Sequence, residues 1–165
     1  MRSAQLPFSI APVLRPEASA PPTRITSIIR LAVERSDVTK EWYLNDKLHR
    51  EDGPAVVYSN GTKAWYLNGE RHREDGPAIE EATGRKEWWL NDTRHREDGP
   101  AIEGANGTKE WWLNGKLHRE DGPAIEWDND TKEWWLNGKK LTKAEWLIAS
   151  EKDPATKAWL VLQYG

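Results

Sequence analysis

The stretch from Leu117 to Trp127, LHREDGPAIEW, places an imidazole two and three residues before a pair of carboxylates, with an arginine between. Side chains of these types can serve as general acid and base or hold a divalent cation, so His118, Glu120 and Asp121 are the first candidates for chemistry. The heptapeptide HREDGPA, however, occurs four times, its histidines His49, His72, His95 and His118 lying 23 residues apart. Catalysis needs one asymmetric constellation whose groups are tuned to different pKa values, whereas near-identical copies point to a repeated structural job. On that reading no residue is catalytic, no metal is bound and each histidine faces a core tryptophan. Asp-Gly-Pro then makes a tight bend, with Asp capping the turn and Gly taking positive φ.

The elements that carry the heptapeptide follow the same period. Trp42, Trp65, Trp88, Trp111 and Trp134 keep the 23-residue step, and such a period signals stacked units that bury their apolar sides against one another. Two turn signals recur, one as Asn45-Asp46, Asn68-Gly69, Asn91-Asp92, Asn114-Gly115 and Asn137-Gly138. The other runs as Asn60-Gly61, Thr83-Gly84, Asn106-Gly107 and Asn129-Asp130. Asn-Gly and its relatives accept the positive φ of two-residue hairpins, and aromatic segments such as KEWWL suit strands. The expected fold is mainly β: an elongated antiparallel sheet of stacked hairpin repeats with a short C-terminal helical cap.

If both turns are two-residue loops, the register follows by counting. Tyr43 faces Leu48, Trp42 faces His49, Val56 faces Trp65 and Val57 faces Ala64. Ile79, Ile102 and Ile125 then face Trp88, Trp111 and Trp134, so one side carries the tryptophan row and the histidines as a structural core. The other carries Tyr43, Tyr66, Trp89, Trp112 and Trp135, opposite Leu48, Arg71, Arg94, Leu117 and Lys140, which vary from unit to unit. The same counting opposes Glu80 to Glu87, Glu103 to Glu110, Glu126 to Glu133 and Glu34 to Glu41, an arrangement of like charges that destabilises a sheet. Arg50, Arg96 and Arg119 would relieve it from across Glu41, Glu87 and Glu110. Glu126 and Glu133 would meet Thr142 instead, leaving two carboxylates side by side.

Composition narrows the function classes. The 165 residues carry a net charge of −3 with both signs mixed, and 11 tryptophans but no cysteine. This gives no electrostatic case for nucleic acid or an anionic membrane, and it excludes disulfides and thiol chemistry. Residues 1–24 hold five prolines and no acid before Glu17; they read as a flexible or peptide-like arm rather than a secretory signal. The repeat domain is expected over 25–140, beginning with a half-unit at 32–38. A helical cap over 141–165 follows, in which Thr142 to Glu145 forms a capping box and Asp153-Pro154 opens a second helix. Trp146, Leu147, Trp159, Leu160 and Leu162 are expected to plug the open sheet edge.

The unit with WLNGK, DGPA and NGT resembles a divergent MORN-type repeat, and its LNGKLHREDGPA form resembles repeat proteins of bacteriophages and large DNA viruses. The resemblance covers about two-thirds of the chain. It implies stacked hairpins and a non-enzymatic scaffold without cofactor, in the cytoplasm of a host cell if the chain is viral. The expected partner is a protein, by analogy a host defence protein that the chain would block. The residues expected to meet it are Tyr43, Tyr66, Trp89, Trp112 and Trp135 with Arg71 and Arg94. The alternatives are a carbohydrate or small-ligand module using the aromatic stripe, a face-to-face homodimer and, more remotely, a hydrolase using Glu126 and Glu133.

Overall fold

The computed structural model describes residues 30–34, as backbone, and 39–164. The arm expected over residues 1–24, and the half-unit 32–38 past Glu34, lie outside them. The described chain is mainly β, with two helices at its C-terminal end, α1 (Lys143–Ser150) and α2 (Pro154–Tyr164). One open antiparallel sheet of twelve strands runs through the units, and three separate two-stranded hairpins stand beside it.

Each KEWWL-type segment changes partners at its central tryptophan. Lys109–Glu110 belongs to the long sheet, between Ile102–Glu103 and Ile125–Glu126, while Trp112–Leu113 pairs with Lys116–Leu117 in a tight hairpin. Trp111 stands between the two: its N–H reaches the Ala124 carbonyl at 2.8 Å, and its own carbonyl takes the His118 N–H at 3.0 Å. The same two bonds recur at Trp42, Trp65 and Trp88. Successive hairpins are joined as well, since the N–H groups of Arg50, Arg73, Arg96 and Arg119 bond to the carbonyls of Tyr66, Trp89, Trp112 and Trp135 in the next unit.

The first turn gives the expected register. Asn114 and Gly115 have φ of 50° and 75°, the double positive φ of a two-residue hairpin whose twist matches its strands. Tyr43 accordingly faces Leu48, Tyr66 faces Arg71, Trp89 faces Arg94, Trp112 faces Leu117 and Trp135 faces Lys140.

The second turn does not. At Tyr58 to Thr62 the Gly61 N–H bonds to the Tyr58 carbonyl at 3.0 Å, and the Tyr58 N–H to the Thr62 carbonyl at 2.9 Å. This is a three-residue loop closed by a glycine at φ 89°, a turn followed by a glycine bulge. The extra residue moves the register by one and so reverses the face of every side chain beyond it. Val56 faces Ala64 and Val57 faces Lys63, rather than Trp65 and Ala64. Ile79, Ile102 and Ile125 face Glu87, Glu110 and Glu133 instead of tryptophans. The glutamate pairs dissolve: Glu80 faces Lys86, Glu103 faces Lys109 and Glu126 faces Lys132. Glu34 likewise faces Lys40 instead of Glu41, beyond a bulge between Leu31 and Val33. The outer face of the sheet is thus a ladder of alternating lysine and glutamate, the favourable cross-strand pairing.

The inner face holds the core. Ala55, Ala78, Ala101 and Ala124 are wholly buried, with Val56, Ala64, Ile102 and Ile125 beside them. The Trp65, Trp88 and Trp111 rings are half-buried rather than enclosed, and each is roofed by a guanidinium. Arg50 lies 4.2 Å from the Trp42 ring centre, Arg73 4.1 Å from Trp65, Arg96 4.0 Å from Trp88 and Arg119 3.8 Å from Trp111. Where Thr142 replaces the arginine, Lys143 of α1 stands over Trp134 at 5.8 Å.

The capping box at Thr142 forms as expected, with the Glu145 carboxylate accepting the Thr142 N–H at 2.7 Å and the Thr142 hydroxyl accepting the Glu145 N–H at 3.2 Å. Asp153 opens α2 by accepting the Thr156 N–H at 2.7 Å. The plug is narrower than expected. Trp146 is buried against Trp134, ring centres 4.5 Å apart, and donates its indole N–H to the Arg119 carbonyl at 2.9 Å. In α2 only Leu160 is buried, and Trp159 and Leu162 point to solvent. A helix of this length docked along one narrow line covers one side chain in a turn and leaves the rest outside.

Candidate functional site

The four heptapeptide loops stand in a row, because each follows the hairpin of its own unit. Consecutive loops enclose similar grooves. One, of about 690 Å³, lies between the loop at Arg96 to Pro100 and the next unit's Trp111, Leu113 and His118. Its equivalents, of about 650 and 730 Å³, are lined by Trp65 and His72, and by Trp88 and His95. Three copies of one groove, each lined by the same residue types, reproduce the repeat and not a single reaction centre.

Within the loop the arginine and the aspartate are locally paired. The Arg96 Nε donates to Asp98 at 2.9 Å, and its terminal nitrogen donates to the Pro100 carbonyl at 3.1 Å and to Glu103 at 3.0 Å. Arg73 and Arg119 repeat the set with Glu80 and Glu126. Arginine therefore joins a glutamate seven residues on in its own unit, not Glu87 or Glu110 as the counting suggested. Glu126 is not left unpartnered. The loop glycines depart from expectation too, since Gly53, Gly76, Gly99 and Gly122 are not among the positive-φ residues. A Cβ on Gly76 would lie 2.9 Å from the Arg73 Cζ, so any larger residue there would displace the guanidinium that folds back over the loop.

The histidines link one unit to the next. The Nδ1 atoms of His49 and His118 accept the N–H groups of Asn68 and Asn137, both at 3.1 Å, whereas those of His72 and His95 lie 2.8 and 2.9 Å from the side-chain oxygens of Asn91 and Asn114. At His49 and His118 an Nδ1 that accepts leaves the proton on Nε2, which lies 3.6 and 3.8 Å from Glu51 and Glu120. A metal at Nε2 would need the other tautomer and would break the bond to the asparagine. No group of three or more potential metal-ligating side chains occurs among the described residues.

The loop aspartates carry a pH signature. Hydrogen bonds from Arg50, Arg73, Arg96 and Arg119 hold Asp52, Asp75, Asp98 and Asp121 below the ordinary aspartate value. Lys152 does the same for Glu120, and Lys140 for Glu133. A carboxylate whose folded pKa is lowered contributes stability above its unfolded value and loses it as pH falls through the folded one. The thermal midpoint is therefore expected to stay level between about pH 5 and 8 and to drop steadily below about pH 4. An unchanged midpoint at acid pH, followed by circular dichroism, would show these pairs to be inert.

The second aromatic row is less open than its variability suggested. Trp89 is only 8 % exposed, with Tyr43, Tyr66, Trp112 and Trp135 half-buried. Their polar ends are anchored: the indole N–H groups of Trp89, Trp112 and Trp135 reach Glu87, Glu110 and Glu133 at 3.0, 2.8 and 2.9 Å, and the Tyr43 hydroxyl reaches Glu41 at 2.9 Å. Cations lie over the rings, Arg71 at 3.6 Å and Arg94 at 4.6 Å from Trp89, Arg94 at 5.3 Å from Trp112, and Lys140 at 5.7 Å from Trp135. These glutamate anchors escaped the sequence reading. The signal was a glutamate two residues before the aromatic, Glu-x-Tyr at Tyr43 and Glu-x-Trp at Trp89, Trp112 and Trp135, broken only at Ala64.

Glu126 and Glu133 do not come together. With Glu126 facing Lys132 and Ile125 facing Glu133, the two carboxylates lie on opposite faces of the sheet. One is held by Arg119 and the other by Lys140, each at 3.0 Å, so the pair required for hydrolysis is not formed. No helix among the described residues is long and apolar enough to cross a membrane. No protein-family model matches the chain, and no curated protein matches it.

Proposed function

We propose that the chain is a non-enzymatic MORN-type repeat scaffold that binds a protein partner along its second aromatic row. The observation that supports this reading is the alternation of rings and cations: Arg71, Trp89, Arg94 and Trp112 stacked in sequence across units. Tryptophan, tyrosine and arginine dominate interface energetics. Here they are held before a partner arrives, the arginines by stacking and Arg71 also by Asp92 at 2.6 Å, which lowers the entropy lost on binding. Units advance by about 9.5 Å, two strand spacings, so the row suits an extended partner surface. The exposed carboxylates of the heptapeptide loops, Glu74, Asp75, Glu97 and Asp98 among them, oppose nucleic acid as that partner.

The test is a pull-down from the native host with Arg71→Ala and Arg94→Ala combined, against Lys86→Ala with Lys109→Ala on the outer ladder. The first pair is expected to lose the partner and the second to keep it. Retention by the arginine variant removes the aromatic row as the interface. Identification of the captured protein decides whether the host defence class implied by the viral resemblance is correct.

A further inference from the structure

One unit breaks the pattern that the others keep. Where Glu41, Glu87, Glu110 and Glu133 anchor the aromatic two residues on, this unit has Ala64 and Tyr66. The carboxylate is gone, and the ring, a phenol as at Tyr43, has no glutamate two residues before it. A cavity of about 350 Å³ opens in their place, bounded also by Tyr58, Asn60, Ile79 and Glu81. It differs from the three loop grooves in its lining, which includes Ala64 at the position where the other units carry a glutamate.

The lining has a consistent chemistry. Ala64 and Ile79 form an apolar floor, the first 3 % exposed. Two phenols stand beside it, and no hydrogen bond to either hydroxyl is formed among the described residues. Burial, followed by the neighbouring Tyr58, holds the Tyr66 hydroxyl above the ordinary phenol value, so it remains a donor at neutral pH. Asn60 uses its carbonyl oxygen on the Thr62 N–H at 2.9 Å and keeps its amide hydrogens. Glu81 takes the Thr83 hydroxyl at 3.0 Å and has acceptor capacity left.

We infer that this cavity is a binding site for a single pyranose ring, carried by a free sugar or by the end of a glycan. Its apolar face would lie on the Ala64 and Ile79 floor beside the tyrosines, and its hydroxyls would exchange hydrogen bonds with Tyr58, Tyr66, Asn60 and Glu81. Donors and acceptors occur together around an apolar floor, as a polyhydroxylated ring requires; an organic cation would need acceptors alone. The volume lies at the small end of ligand sites. The inference stands on the irregular unit and shares Tyr66 with the aromatic row proposed above to meet a partner.

The repeat supplies the test. In the whole chain, amide shifts of Ala64, Tyr66 and Ile79 are followed by NMR against methyl hexopyranosides, the matching trisaccharides and tetramethylammonium. Saturable shifts with at least one sugar are expected, and trisaccharides binding more tightly than monosaccharides would point to a glycan as the source. Ala64→Glu with Tyr66→Trp rewrites the unit to its neighbours' pattern, and it is expected to fold while weakening sugar binding about tenfold or more. Should it fail to fold, Tyr58→Ala, at a residue 42 % exposed, takes its place with the same expected loss. No response to any sugar, undiminished binding in these variants, or shifts with tetramethylammonium alone each overturns the assignment.

Discussion

Trp89→Ala is expected to lower the stability of the chain by about 3–5 kcal/mol, the usual cost of removing a buried aromatic side chain. The ring is 8 % exposed and lies under Arg71 and Arg94. Its indole N–H also satisfies Glu87, a carboxylate only 7 % exposed, so truncation leaves a cavity and a buried acceptor short of a donor. Urea unfolding should show a lower midpoint with an unchanged slope. Trp159→Ala, at a ring 57 % exposed, should stay within about 0.5 kcal/mol of the parent. A coupling test sharpens the point: Glu87→Ala with Trp89→Tyr copies the Ala64 and Tyr66 unit and should cost about 1–2 kcal/mol less than the two single changes summed. A Trp89→Ala variant as stable as the parent would mean that the Trp89 ring is surface and not core.

The second large effect belongs to the heptapeptide arginine. Arg96→Lys keeps the charge but loses the flat guanidinium that stacks on Trp88 at 4.0 Å while bonding Asp98, Pro100 and Glu103. An ammonium cannot reach these partners in one geometry. The Arg96 side chain is four-fifths buried, so solvent screening spares much of the loss, and about 2–3 kcal/mol is expected. That corresponds to roughly 5–10 °C in the thermal midpoint for a chain of this size. Arg50 supplies an internal control, because Val57 stands where the other units have the glutamate and its bond to the Pro54 carbonyl is long at 3.5 Å. Arg50→Lys should cost clearly less. Equal losses at the two positions would show that the glutamate contributes nothing.

The period, the hairpins and the capping box were legible because each rests on local chemistry that a spacing reveals. Asn114-Gly115 and Thr142 to Glu145 specify their backbone geometry almost alone. Asn60-Gly61 was misread because the same dipeptide serves two turns: in one both residues lie between the strands, in the other the glycine is the bulge that closes a longer loop. Which occurs depends on whether Tyr58 and Thr62 bond across the loop, a tertiary matter. The one-residue difference then propagates, turning lysine–glutamate pairs into apparent glutamate pairs and setting on the ladder tryptophans that stand off it. Counted with two-residue turns, Val57 and Ala64 fall opposite each other and mimic the joint loss of one glutamate pair. Val57 lies on the outer face, and Ala64 answers instead to Tyr66 within its own strand segment.

The bonds that join each unit only to the next, from arginine N–H to aromatic carbonyl and from histidine to asparagine, give the array the symmetry of a one-dimensional lattice. A duplication of 23 residues inside it would extend the lattice by one cell without asking any existing contact to change. In such an object the cells are interchangeable and a location has no meaning until something breaks the translation. Within the row of glutamate anchors Ala64 does so: it is the point defect from which the other cells of that row can be counted.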